Sequence, residues 1–356
     1  MREGRGDGGG DVGAFVAGGF WVPTPGPFRL RDVGLGVPTP GPSRLREGRD
    51  MKDFAGRTAF VTGGANGVGI GLVRQLLNEG CKVAIADIRQ DSIDKALASL
   101  DNREVMGVQL DVASRDGFKA AADEVEAKFG PVSILCNNAG VNLFQPIEES
   151  SYDDWDWLLG VNLHGVINGV MTFVPRMVER VKAGEQKGGH VVNTASMAAF
   201  LAAGSPGIYN TTKFAVRGLS ESLHYSLLKY QIGVSVLCPG LVKSYIYASD
   251  DVRPDALKGA MKPVDPTAVE RLQGLHEFGM EPDVIGARVI EAMRANRLHI
   301  FSHPDHRQEV REIFDEIIAE YQDYPKDPGY DRRVAFEKFR ADSFAEARRQ
   351  SRAADF

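Results

Sequence analysis

From Met51 onward the chain alternates between two kinds of hydrophobic pattern. "RTAFVT" is a short apolar run, a glycine turn follows, and "GIGLVRQLLNEG" then carries apolar residues at helical spacing. The alternation continues through "CKVAIAD", a helix from about Asp91, "EVMGVQLD", the helix "RDGFKAAADEVEAKFG" and "VSILCNNAG". A long helix around residues 151–180 precedes "GHVVNTAS", a helix carrying Tyr209 runs to about Tyr230, and "GVSVLCPG" comes next. A helix with Pro282 in its first turn, where the missing N–H costs nothing, leads into "RLHIFS". Strands that are apolar throughout and separated by helices predict a parallel sheet covered on both faces, here of about seven strands in one doubly wound α/β domain.

The two ends of the chain break this pattern. Residues 1–50 are rich in Gly, Pro and Arg and hold a repeat, "VPTPGPFRLRD" from Val22 and "VPTPGPSRLRE" from Val37. Such a stretch cannot bury enough apolar surface to offset its ordering entropy, so a disordered extension is expected, with Met51 as an alternative start. Residues 304–356 read as a charged, helical appendage. The folded domain is thus expected at 51–303, with a long segment rich in Pro, Met and charge at about 241–279 that reads as a lid over a site.

Composition narrows the function. A net charge of −6 in 356 residues argues against nucleic acid or an anionic membrane as partner, since both select basic surfaces. No apolar run approaches the length of a membrane span. Cys81, Cys136 and Cys238 each sit in or beside an apolar run and form no CxxC pair, which fits reduced core thiols in a cytoplasmic protein.

Candidate chemistry gathers at the carboxyl ends of the expected strands. The first strand runs into "TGGANGVG", Thr62–Gly69, whose glycines permit a tight turn and close approach of the backbone to a pyrophosphate at the following helix N-terminus. The second strand ends in Asp87, about twenty residues on, where a carboxylate can accept from both ribose hydroxyls and repel a 2′-phosphate. NAD is therefore expected over NADP, with Arg89 as the one nearby signal for NADP. Asp111 and "NNAG", Asn137–Gly140, end the third and fourth strands at the same edge.

Tyr209 and Lys213 stand one helical turn apart and share a face. A unit charge at ~4 Å with an effective dielectric of ~20 contributes roughly 4 kcal/mol, enough to lower a tyrosine pKa by about three units. The expectation is a tyrosine poised as acid/base near neutral pH. Ser196, at the end of the preceding strand, could orient a substrate oxygen, and Asn162, in the long helix, could hold a proton-relaying water.

TG-x-x-x-G-x-G at Thr62–Gly69, NNAG at 137–140, Asn162, Ser196, Tyr-x-x-x-Lys at 209 and 213, and Pro239–Gly240 together resemble the short-chain dehydrogenase/reductases of single-domain, Rossmann type, over residues 53–302. The resemblance implies a catalytic tetrad of Asn162, Ser196, Tyr209 and Lys213, with Lys213 also on the nicotinamide ribose. It implies cofactor contacts from Gly63, Asn66, Gly67 and Val68, from Asp87 and Ile88, from Asp111 and Val112 at the adenine, and from Asn138, Ala139 and Gly140. Tyr209, Lys213, Pro239, Val242 and Ser244 complete the set, Ser244 standing where the family usually has Thr. It implies a homodimer or homotetramer.

The loops after the fourth, fifth and sixth strands contain Phe144, Met197, Phe200, Leu201, Tyr245 and Tyr247. They suggest an apolar, aromatic pocket for a secondary alcohol or ketone, with Lys243 and Arg253 solvated rather than facing it. "NNAGVNLFQPIEESSYDDWDWLLGVNLHGVINGV", "GLHEFGMEPD" and "LHIFSHPDHR" are similar to bacterial dehydrogenases that oxidise the Cα alcohol of lignin-derived β-aryl ethers. Steroid-like or other secondary alcohols remain alternatives, as does a non-catalytic NAD-sensing protein. The histidines 299, 303 and 306 are not expected to converge on a metal, and Trp155 and Trp157 are expected to pack or meet a second subunit.

Overall fold

The computed structural model describes residues 53–353 apart from 102–103, 203, 205 and 260–265; the expected extension at 1–50 lies outside the described residues. Seven strands form one parallel sheet in the order β3-β2-β1-β4-β5-β6-β7. They are β1 (Thr58–Thr62), β2 (Lys82–Asp87), β3 (Val105–Gln109), β4 (Val132–Asn137), β5 (Gly189–Thr194), β6 (Ile232–Cys238) and β7 (His299–Phe301). Successive residues of β1 serve opposite cores, Ala59 and Val61 one side and Phe60 the other. That is why its run shows no polar alternation.

One face is covered by α1 (Gly67–Asn78), α2 (Gln90–Ala98) and α8 (Pro282–Arg294). The other carries α3 (Arg115–Phe129), α5 (Gly165–Ala183) and the end of α6 (Gly207–Leu227). On that side Phe60 packs against Phe173 with ring centroids 4.8 Å apart. Each such buried ring contributes about 1.5–3 kcal/mol. α1 and α8 touch backbone to backbone: a Cβ on Gly71 would lie 2.1 Å from the Pro282 carbonyl oxygen, so no larger residue fits between them.

The helix expected around 151–180 is built differently. It consists of α4 (Tyr152–Leu159), a π-helical turn at Gly160–His164, and α5, with Asn162 inside the π turn. Contrary to the reading of the apolar runs, the continuous stretch Tyr152–Ala183 has the length and hydropathy of a membrane span; 56% of its most apolar window is buried against the rest of the fold, as in a core helix.

Between β6 and α8 lies α7 (Pro266–Glu277), and beyond β7, α9 (Arg307–Ala319) and α10 (Tyr330–Ala353) follow. α10 rests on α6, where Tyr225 meets Phe344 at 4.8 Å and His224 shares a hydrogen bond with Ser351. The three thiols are free and buried, and burial pushes each up to about 12, so they are inert at neutral pH.

Candidate active site

The strand order reverses between β1 and β4, and a crevice opens there beyond the carboxyl ends of the strands. It deepens into a cavity of about 700 Å³. The turn from β1 into α1 forms its floor. A Cβ on Gly69 would lie 1.9 Å from the Gly63 carbonyl oxygen and 2.8 Å from the Asn138 amide nitrogen, so only glycine closes this turn. No side chain caps the first turn of α1, which leaves its N-terminus open to an anion. This floor fits the pyrophosphate of a dinucleotide.

Gly63, Asn66, Gly67, Val68, Asp87, Ile88, Asp111, Val112, Asn138, Ala139 and Gly140 all line the cavity. Asp87 accepts from the Ala65 N–H and the Arg89 N–H, each at 3.3 Å. Burial pushes its carboxyl above the usual range against the pull of those hydrogen bonds. Arg89 and Lys95 line the same end, Lys95 paired with Asp91 at 3.3 Å. Thr62 is an organiser that the motif reading missed. Its hydroxyl accepts from the backbone N–H of Asn138 (2.9 Å) and Ala139 (3.0 Å). Asn138 in turn donates to the Thr62 carbonyl at 3.1 Å and accepts from Thr194 at 3.2 Å, so the ends of β1, β4 and β5 are stitched together.

Tyr209, Lys213 and Ser196 line the cavity from α6 and the end of β5. The phenol hydrogen-bonds to Ser196, but burial outweighs that bond and raises its pKa. Lys213 is buried, donates to the Thr194 carbonyl at 3.0 Å and stands 5.3 Å from the Tyr209 ring centroid. Burial lowers it to about 8. This corrects the simple expectation of a tyrosine pulled toward neutrality by its lysine. Lys213 is buried and Tyr209 partly so, and desolvation acts on each against its charged form. Asn162 is fully buried and stands behind the cavity wall. Its side chain accepts from the Val141 N–H (2.8 Å) and donates to the Val141 carbonyl (2.9 Å) and to Thr212 (3.2 Å). Its amide is committed to the segment after β4, which leaves it a backbone organiser rather than an open water ligand.

The loop after β6 closes the far side. The Pro239 carbonyl accepts from the Met197 N–H at 2.9 Å and from the Ser196 hydroxyl at 3.5 Å. Pro239, Val242, Ser244 and Tyr245 line the cavity, with Phe144 from the segment after β4. Met197 and Phe200 do not. They point into a core cluster, where Phe200 packs 4.0 Å from the Arg217 guanidinium and 5.4 Å from Phe301. The short 3-10 turn at Met197–Ala199 turns both side chains away from the crevice. The wall instead includes Asn142, Val161, Val252 and His276, which the sequence did not single out, and Trp157, which was expected to pack or meet a second subunit. Only the spacing of Trp157 in "DDWDW" was a usable signal. Lys243 is exposed and pairs with Glu281. Arg253 is not solvated: its side chain is fully buried against Asp154 at 2.6 Å. His303 takes the Gly240 N–H on Nδ1 and donates from Nε2 to the Leu241 carbonyl, both at 2.9 Å, so it braces this loop as a neutral ring.

A doubly wound sheet whose glycine-floored crevice is lined by a tyrosine, a serine and a buried lysine defines a nucleotide-dependent oxidoreductase. Residues 57–253 match the short chain dehydrogenase family, and the chain belongs to it. The chain is 37% identical over 281 residues to the C alpha-dehydrogenase of Sphingobium sp. (strain NBRC 103272 / SYK-6), covering 78% of this chain and 90% of that one. A solved structure assigned as a short-chain dehydrogenase from Novosphingobium aromaticivorans is 83% identical, with a TM-score of 0.76, covering 85% of this chain and all of that one. A short-chain dehydrogenase/reductase from Burkholderia phymatum, solved with NAD, is 34% identical with a TM-score of 0.71, covering 78% and 99%. The protein is thus an oxidoreductase of alcohols and ketones that works with a nicotinamide cofactor.

Proposed function

We propose that the protein oxidises the secondary alcohol of a bulky aromatic substrate with NAD, the best candidate being the Cα alcohol of a lignin-derived aryl ether. One observation carries the reading. A single cavity is lined by Asp87 from the end of β2, by Ser196, Tyr209 and Lys213 from the end of β5 and α6, and by Phe144, Trp157 and Tyr245 from the segments after β4 and β6 and from α4. Asp87 would hold the adenosine ribose hydroxyls, and its carboxylate disfavours a 2′-phosphate there, although Arg89 and Lys95 stand close. The Sphingobium relative's name supports the substrate class, and the Burkholderia structure supports the cofactor.

In the proposed reaction Ser196 holds the substrate oxygen and Tyr209 takes the hydroxyl proton. A bound oxidised nicotinamide would supply the hydride acceptor for the carbinol carbon and a positive charge in the cavity that Tyr209 and Lys213 line. That charge favours the tyrosinate, which burial alone disfavours. Lys213 holds the ribose and passes the proton outward. Asn162 keeps the segment at Val141 in place, so that the cavity wall and Thr212, on the helix of Lys213, stay in register. The products are the ketone, the reduced cofactor and a proton. The protein is further proposed to act in the cytoplasm as a homo-oligomer; exposed Tyr152, Ile167, Met171 and Phe214 on and beside the long helices suit a subunit contact.

The test is reduced-cofactor formation from NAD with a racemic aryl-ether Cα alcohol, beside aliphatic and steroid alcohols and with NADP as control. Fast turnover that stops near half conversion supports the reading and shows choice of one enantiomer. Silence on the aryl ether with turnover of another alcohol removes the substrate assignment and leaves the Tyr–Lys chemistry in place.

A further inference from the structure

Arg253 carries a cluster that the reaction does not use. The segment after β6 folds into 3-10 turns at Ile246–Val252 and Asp255–Leu257, with Arg253 between them. Its guanidinium forms an ion pair with Asp154 at 2.6 Å, donates from Nε to the Leu257 carbonyl at 2.7 Å and lies 5.0 Å from the Trp157 ring centroid. Asp154 is in turn held by the Ser151 N–H at 2.6 Å, the Ser151 hydroxyl at 2.8 Å and Gln145 at 3.1 Å. One carboxylate therefore ties together the segment after β4, the start of α4 and the segment after β6. A second tie lies nearby, where the Asn142 N–H donates to the Ser249 hydroxyl at 3.0 Å.

Trp157, Asn142, Ser249 and Val252 line the cavity, whereas Arg253 and Asp154 do not reach it. A buried ion pair needs both partners, because either charge alone is left uncompensated. The guanidinium also sets its charge over the indole ring, and its Nε–H reaches the Leu257 carbonyl, a second donor that a lysine does not have in that position. We propose that Arg253 is a positioning residue that sets which alcohols the site accepts: paired with Asp154 and set over the Trp157 ring, it fixes the width of the ring-accepting end of the cavity. The inference rests on the proposed function, in that this end receives the aromatic part of the substrate. Small displacements of such a wall change the fit of a large substrate far more than that of a small one.

The experiment compares kcat/KM for a two-ring β-aryl ether Cα alcohol with kcat/KM for 1-phenylethanol, in wild type, Arg253→Met and Arg253→Lys. The KM for NAD is measured in each. In Arg253→Met the two-ring to one-ring ratio is expected to fall by about tenfold, through KM, on the scale of one misfitted methylene group. Arg253→Lys, which keeps the charge on Asp154 but loses the Nε–H bond to the Leu257 carbonyl, is expected to fall between. An unchanged ratio, or an equal loss on both alcohols together with a raised KM for NAD, overturns the proposal. If Arg253→Met does not fold, the lysine variant decides by the same two results. If the wild type ignores the aryl ether but oxidises another bulky alcohol, the substrate assignment alone fails. The ratio is then read between that alcohol and its smallest oxidised analogue. If the wild type oxidises no alcohol, the functional reading fails and this one with it.

Discussion

At the cofactor end of the cavity, the lining groups are held by main chain and by the sheet itself. Thr62 receives two backbone amides, Asn138 bridges three strands, and Gly69 admits the Gly63 carbonyl where no side chain fits. At the substrate end, two loop segments meet and are joined by side chains, Asp154 with Arg253 and Ser249 with the Asn142 N–H. The difference separates two kinds of tolerance. Hydrogen bonds between strand ends shift only if the sheet shifts, so that end gives one geometry or none. Side-chain ties between loops can be exchanged one at a time, so that end can change shape while the sheet stays intact.

The comparison is broken most severely at the middle of the cavity. Tyr209→Phe is expected to lower turnover by about a thousandfold or more while NAD still binds, read by single-turnover kinetics and by titration of cofactor binding. Near wild-type turnover would remove Tyr209 as the acid/base. At the cofactor end, Thr62→Val strands two amides. It is expected to destabilise the fold by about 2–3 kcal/mol in denaturant unfolding and to weaken NAD binding, without altering the choice between large and small alcohols. Asp87→Ala is expected to shift the NAD/NADP preference in kcat/KM by about ten- to a hundredfold toward NADP, as a lost charged hydrogen bond allows.

Lys213 sharpens the comparison in the opposite direction, through stability. Its folded pKa of about 8 lies below its ordinary 10.5, so the folded chain releases this proton before the unfolded chain does. Stability should therefore rise as pH climbs from about 8 to 10.5, and below about 8 the buried charge weighs against the fold. Lys213→Met is expected to abolish turnover, raise the melting temperature at pH 7 and flatten that rise. A lower melting temperature would mean that the bond to the Thr194 carbonyl outweighs the desolvation of the charge.

The sheet was legible because each strand is buried on both sides and so reads as an unbroken apolar run. The site residues were legible where the backbone dictates their type, as with the glycines, or where helical spacing pairs two groups, as with Tyr209 and Lys213. What failed depended on depth. Whether a tyrosine beside a lysine goes down or up in pKa is decided by how much water surrounds both, and spacing does not carry that. Arg253 reads as solvated because most loop cations are, and its partner Asp154 lies 99 positions earlier. Phe200 was assigned to the pocket because it follows a strand at the right edge, but one 3-10 turn reverses the direction of its side chain. The helix at 152–183 showed the apolar content but not the break, since a single π turn of five residues is too short to leave a period in the sequence.

That break sets a rule for the length of the chain. A π turn is an α-helix with a residue to spare, and Asn162 occupies it with its side chain closed on both backbone groups of Val141. Deleting any one of residues 160–164 would let the helix heal into regular α geometry with its two flanks close to their present register, because the residue lost is the spare one. Phe173 and Trp157 would keep their faces, and the loss would fall on Asn162 and its two bonds to Val141. A single-residue deletion within α5, which holds no spare residue, would instead turn one side against the other by about 100° and should do more harm.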